Sequence, residues 1–148
     1  MKFSTRVDKN IPAAELFDAV ANFDRIEHML IRRGVSVTRG DDMPDGTRGW
    51  NLGFDWRGQR RELHLVLVQF DRPEKYAMTG ESKPFELRID MTAVALARDR
   101  SRLIFELEVK PRNMRARLIL QTAKLGKTQI DRKLSARVAQ FVDDAMAG

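Results

Sequence analysis

The chain has 148 residues, a net charge of +6 and no cysteine. That length suits a single domain, expected here over 1–148, and the missing thiols exclude disulfides, cysteine nucleophiles and every thiolate-ligated metal or cluster. No apolar run approaches the ~20 residues that cross a bilayer, and charges run through the first thirty residues, so no secretory leader is expected and the cytoplasm is the expected compartment.

Residues 2–9 alternate apolar and polar, with Phe3, Thr5 and Val7 on one face, and predict a strand. Pro12 then opens a helix, because its fixed φ and missing N–H suit a first turn. Leu16, Phe17, Val20 and Phe23 give that helix an apolar face. A second short helix follows in DRIEHMLIRRG, with Ile26, Met29 and Leu30 at helical spacing and Gly34 as its stop.

From Val35 the period changes to two. VSVTRG predicts a short strand and DDMPDG a turn. In GTRGWNLGFDW, Trp50, Leu52, Phe54 and Trp56 share a face, and Gly58 makes a tight connection to RRELHLVLVQFD. Within that run Leu63, Leu65 and Leu67 share one face and His64 takes the other. Val68 and Phe70 fall in the phase of His64, so alternation by itself leaves the orientation of this strand open. KYAMTGE, FELRIDMTAVALA and RLIFELEVK follow as one-sided strands, the last two presenting Leu87, Ile89 and Met91, and Phe105 and Leu107. Such strands, joined by short turns, predict an antiparallel meander with one wet face and one apolar face that needs a cover.

The cover is the stretch 113–147, free of proline, with an apolar stripe through Ala116, Ile119, Leu120, Ala123, Ile130, Leu134, Val138, Phe141 and Ala145. Lys127 interrupts the stripe, Gly126 is placed to kink it, and Leu118 and Leu125 lie on the opposite side. From Arg112 onward the chain carries +5 of its +6 net charge, so the basicity belongs mostly to this helix. A solvated helix face is the plain reading of that charge; a weak membrane-surface contact is the other.

The expected fold class is α+β: a curved antiparallel sheet of about seven strands wrapped around a long C-terminal helix, with two short helices after the first strand. That order resembles the helix-grip order of the START-like (SRPBCC) superfamily, which includes polyketide cyclase/dehydrase-like and lipid-transfer proteins. RVDKNIPAAELFDAVANFDRIEHML resembles the opening strand and helices, GTRGWNLGFDWRGQ the third strand and its turn, and the terminal helix the grip helix. The resemblance implies an apolar cavity between sheet and helix that binds a hydrophobic small molecule such as a lipid, quinone or polyketide. Its expected lining is Trp50, Leu52, Phe54, Leu65, Leu67, Met78, Leu87, Ile89, Met91, Phe105 and Leu107, with Ile119 and Ala123 from the helix.

Candidate catalytic groups are few. Neither histidine, His28 or His64, has metal-ligand spacing, so no metal and no cofactor are expected. No nucleophile elbow, P-loop or dinucleotide fingerprint is present. Trp50 and Trp56 with Arg48 and Arg57 resemble a stacking surface, but both tryptophans fall on the concave phase, so no nucleic-acid partner is expected. The expected function is therefore a carrier, as monomer or homodimer. A cyclase/dehydratase-like enzyme using His64 or Tyr76 is one alternative, and an interaction module using the basic helix is another.

Overall fold

The structure, a computed structural model, describes residues 1–40 and 48–147. The DDMPDG turn expected over 41–46 lies outside them. The elements run β1 (Lys2–Lys9), α1 (Ala13–Val20), α2 (Phe23–Arg32), β2 (Ser36–Arg39), β3 (Gly49–Trp56), β4 (Gln59–Asp71), β5 (Lys75–Glu81), β6 (Phe85–Ala97), β7 (Arg100–Pro111), α3 (Met114–Leu125) and α4 (Lys127–Met146). Seven strands form one antiparallel sheet in the order β1-β7-β6-β5-β4-β3-β2. This is the expected α+β helix-grip architecture.

Pro12 occupies the N-cap position of α1 with extended backbone, and the Asn22 side chain caps α2 by accepting from the Arg25 N–H. The terminal helix differs in one respect from the continuous stripe read in the sequence. Gly126 is at once the C-cap of α3 and the N-cap of α4, so the expected kink is a full division into two helices. Asn113 caps α3 through its side chain, which accepts from the Ala116 N–H at 2.8 Å. Each half therefore starts and stops on its own local signals.

The register settles the strand that alternation left open. Leu65 pairs with Gly80 and Leu67 with Met78, but a bulge between Leu67 and Gln69 then brings Phe70 opposite Tyr76. The extra residue resets the phase, so Leu63, Leu65, Leu67 and Phe70 all face inward and His64 faces outward.

Leu16, Phe17 and Val20 of α1 are buried with Tyr76, Met91, Ala93, Leu103 and Phe105 of the sheet and Val138 and Val142 of α4. Tyr76 Oη donates to the Val20 carbonyl at 2.8 Å, satisfying an oxygen at the end of α1. The principal helix–sheet contacts are α1 on β6 and β7, α2 on β2, α3 on β7 and α4 on β1.

Candidate functional site

Inward-facing side chains lose their cover along β3, β5, β6 and β7; β4 does not follow, because Phe70 at the Tyr76 end is 46% exposed while Leu63, Leu65 and Leu67 are half-buried. On β7, Leu103 and Phe105 are buried, while Leu107 and Val109 are half-buried. On β6, Met91 and Ala93 are buried, while Leu87 and Ile89 are half-buried. On β5 the change falls between Tyr76 and Met78. On β3 it falls between Trp50 and Leu52, and it ends at Trp56, which is 53% exposed. The antiparallel register puts the buried members side by side at one end of the sheet and the accessible ones at the other.

The closed half has a physical cause. Phe23 packs against Trp50 and Tyr76 with ring centroids 5.3 Å apart in each case, and Phe17 lies edge-on to Tyr76 at 6.0 Å. These aromatic contacts from α1 and α2 fill that end of the concavity. At the other end, the helix that arrives is α3, and it rests on β7. Leu52, Leu63, Leu65, Leu67, Met78, Leu87, Ile89 and Leu107 point inward yet remain half-exposed to water. Where an internal cavity was expected, this half of the concave face forms a shallow apolar cleft whose inward side chains pack against the core and stay partly open to water.

Gly80 forms the bottom of that cleft. A Cβ there would approach Leu65 Cδ2 to 2.9 Å and Leu87 Cβ to 3.3 Å, so the missing side chain lets the leucines of β4 and β6 close over β5.

The cleft's open end is built by the β3–β4 hairpin. Arg57 and Gly58 occupy its two turn positions at φ 52° and 72°, the left-handed pair of a type I′ connection. The Trp56 ring has the Arg57 Cζ 4.5 Å and the Arg61 Cζ 5.7 Å from its centroid. Arg61 sits opposite Phe54 in register and shares the inward phase of Leu63. Its half-buried side chain has an Nε that is shielded from water and has no hydrogen-bond partner among the described residues.

The expected site residues separate by half. Trp50, Met91 and Phe105 belong to the closed, aromatic end; Leu52, Phe54, Leu65, Leu67, Met78, Leu87, Ile89 and Leu107 line the accessible half. On α3, Ala123 is half-buried, whereas Ile119 is 49% exposed. Leu63, Gly80 and Arg61 were not among the expected lining. Leu63 and Arg61 share the phase of Leu65, and Gly80 that of Met78, but which phase of β4 faces inward was settled by the register with β5.

The candidate acid–base groups stand apart from the cleft. His64 Nδ1 lies 2.7 Å from Asn51 Oδ1 on the convex face, where the ring nitrogen donates to the amide oxygen. A groove of about 450 Å³ does occupy that face, bordered by His64, Thr79, Glu81, Glu86, Arg88, Glu108 and Lys110. Val66, Gly80 and Leu87 contribute apolar surface to it, between charged walls on the outer face of the sheet. Tyr76 is buried, and burial pushes its phenol well above the ordinary value. Among the described residues no cluster of three or more His, Asp or Glu side chains is arranged to hold a metal ion. No helix among them is long and apolar enough to cross a membrane.

No protein-family model matches the sequence, and no curated protein does. Solved structures do match. The Zhui aromatase/cyclase from Streptomyces sp. R1128 superposes with a TM-score of 0.70 at 13% identity, over 98% of this chain and 93% of that one. Truncated norcoclaurine synthase from Thalictrum flavum gives a TM-score of 0.70 at 9% identity, over 100% and 94%. A START superfamily protein from Mycobacterium smegmatis gives 0.58 at 16% identity, over 94% and 97%. The chain has the START-like (SRPBCC) fold. Identities this low speak for the fold and leave the chemistry to the chain's own residues.

Proposed function

We propose that the chain, acting as one domain over residues 1–148, binds a hydrophobic small molecule such as a lipid, quinone or polyketide in the accessible half of the concave face. The observation that carries this reading is the burial gradient. Inward-facing leucine, isoleucine and methionine side chains in the middle of a sheet are ordinarily buried, and here they are only partly buried. Covering that apolar surface drives association at about 25 cal/mol per Å² before entropy costs. Met78 adds an adaptable thioether to the floor. A cyclase-like reaction has less support, because His64 faces outward and Tyr76 donates its proton to Val20.

The test is native mass spectrometry of protein purified from its own host, with solvent extraction of what co-purifies. A neutral fluorophore such as N-phenyl-1-naphthylamine provides an affinity readout. Binding that is lost in Ile89→Trp, a variant that fills the cleft, supports the reading. No co-purifying molecule and no fluorophore binding would overturn it.

A specific observation also favours a second, compatible role. Met114, Leu118 and Leu125 are 67%, 57% and 90% exposed on the outer side of α3. The segment 112–130 carries five basic residues and no carboxylate. An apolar stripe with cationic flanks suits an anionic membrane surface. Sedimentation with vesicles containing phosphatidylserine, falling off as salt rises and absent with phosphatidylcholine alone, is the expected result. Equal recovery with both vesicle types would remove this role.

A further inference from the structure

The cleft is apolar along its floor but cationic where it opens. At that end the β3–β4 hairpin, the β5–β6 turn and the start of α3 come together, because β3, β5 and β7 all run toward it. The Arg112 N–H donates to the Pro84 carbonyl at 2.9 Å and ties two of these connections. Several cations of this end are already compensated. Arg60 faces Asp55 at 3.7 Å and donates to Ser36 Oγ at 2.6 Å, and Arg112 faces Glu81 at 3.6 Å.

Arg61 differs from them in three respects. It lies on the inward phase, directly continuing the row Leu63–Leu65–Leu67 that lines the cleft. It has no carboxylate within ion-pair distance among the described residues. Its Nε is shielded from water without an acceptor. A guanidinium with one nitrogen deprived of both water and a partner is costly to keep, and an anion paired with its Nη edge would offset that cost.

Arg57 is a second cation at this end, held at a backbone position that disfavours it. A side chain with a Cβ is disfavoured at a left-handed φ of 52°, where Asn or Gly is the ordinary choice. The chain holds arginine there nonetheless, with its guanidinium over the Trp56 ring, which Arg61 also approaches. A stacked guanidinium keeps its N–H edges free for an oxyanion.

We infer that the cleft takes an amphipathic anion, its apolar body on the Leu63–Leu65–Leu67 row and its carboxylate or phosphate head against Arg61, Arg57 and the Trp56 ring. This rests on the ligand-binding reading above and specifies its ligand class. Both head groups offer the oxygens that a guanidinium fork recognises in pairs.

The probes are a matched twelve-carbon series at pH 8: laurate, dodecyl phosphate and the neutral alcohol dodecanol, each displacing N-phenyl-1-naphthylamine. The wild-type chain is expected to bind one or both anions at least about tenfold more tightly than dodecanol. The better anion tells carboxylate from phosphate. Arg61→Met is expected to erase that preference and leave dodecanol affinity within about twofold; Arg61→Gln serves if the methionine variant fails to fold. Equal wild-type affinities for all three probes, or an anion preference that survives removal of Arg61, would overturn the inference and leave the hydrophobic site standing. Failure of the fluorophore and all three probes would overturn the underlying reading, and this one with it.

Discussion

Trp50 Nε1 donates to Glu27 Oε1 at 2.7 Å, and the same oxygen accepts from Arg39 Nε at 3.0 Å. One carboxylate on α2 thereby fixes an indole on β3 and a guanidinium on β2, the edge strand. The consequence is mechanical. Trp50 cannot swing away from Phe23, so the closed end of the concavity keeps a rigid wall against which the accessible half begins.

Glu27 should therefore matter to stability in a pH-dependent way. Burial acts to raise its carboxyl, but the bonds from Arg39 and Trp50 outweigh it and hold the group below its ordinary value of 4.5. A depressed folded-state value means the contribution is fully present above about pH 4.5 and is lost as pH falls through the folded value. Glu27→Leu, which leaves the indole N–H unpaired, is expected to lower the unfolding free energy by about 2 kcal/mol at pH 7. Urea melts at pH 7 and pH 3.5 should show that deficit shrinking with acid; a constant deficit would contradict this role.

The two halves of the concave face should respond differently to truncation. Phe17→Ala opens a hole in a filled aromatic cluster and is expected to cost about 3–5 kcal/mol. Ile89→Ala removes a side chain that already meets water and should cost about 1–2 kcal/mol, since less surface is re-exposed. Urea midpoints of the two variants measure the contrast. Equal losses would mean that the cleft is as well packed as the core.

Tyr76 is expected to stabilise the fold only while its phenol is neutral. Burial raises its folded-state value above the ordinary 10.0, so its contribution is complete below pH 10 and is lost as pH rises beyond that. Tyr76→Phe strands the Val20 carbonyl and should cost about 1–2 kcal/mol at pH 7. Thermal melts between pH 8 and 11 should bring the wild-type and Phe proteins closer together.

Ser101 is fully buried and its hydroxyl has no partner among the described residues. Ser101→Ala removes that unsatisfied group at nearly constant volume. It should raise stability by about 1 kcal/mol, read as a higher thermal midpoint.

Arg57→Asn should also stabilise, by about 0.5–1 kcal/mol, because asparagine tolerates the left-handed backbone that arginine resists. The same variant is expected to weaken laurate binding. Gain of stability with loss of affinity would mark the residue as kept for the ligand.

The chain's own pattern determined much of this molecule. Apolar–polar alternation in residues 85–97 and 102–110 dictated which side chains face the concave side, because alternate residues on a pleated strand point to opposite faces. Pro12, Asn113 and Gly126 set helix limits through local capping chemistry. Three things needed the tertiary structure. The Leu67–Gln69 bulge exists only in pairing with β5, and it alone reconciles Phe70 with the inward row. The division of the lining into a packed and an accessible half depends on where α1, α2 and α3 land, a matter of long-range contact that no local period encodes. Arg61, finally, reads in the sequence as one more surface cation. Its place beside the Trp56 ring and its shielded, unpartnered Nε arise only when the sheet has folded.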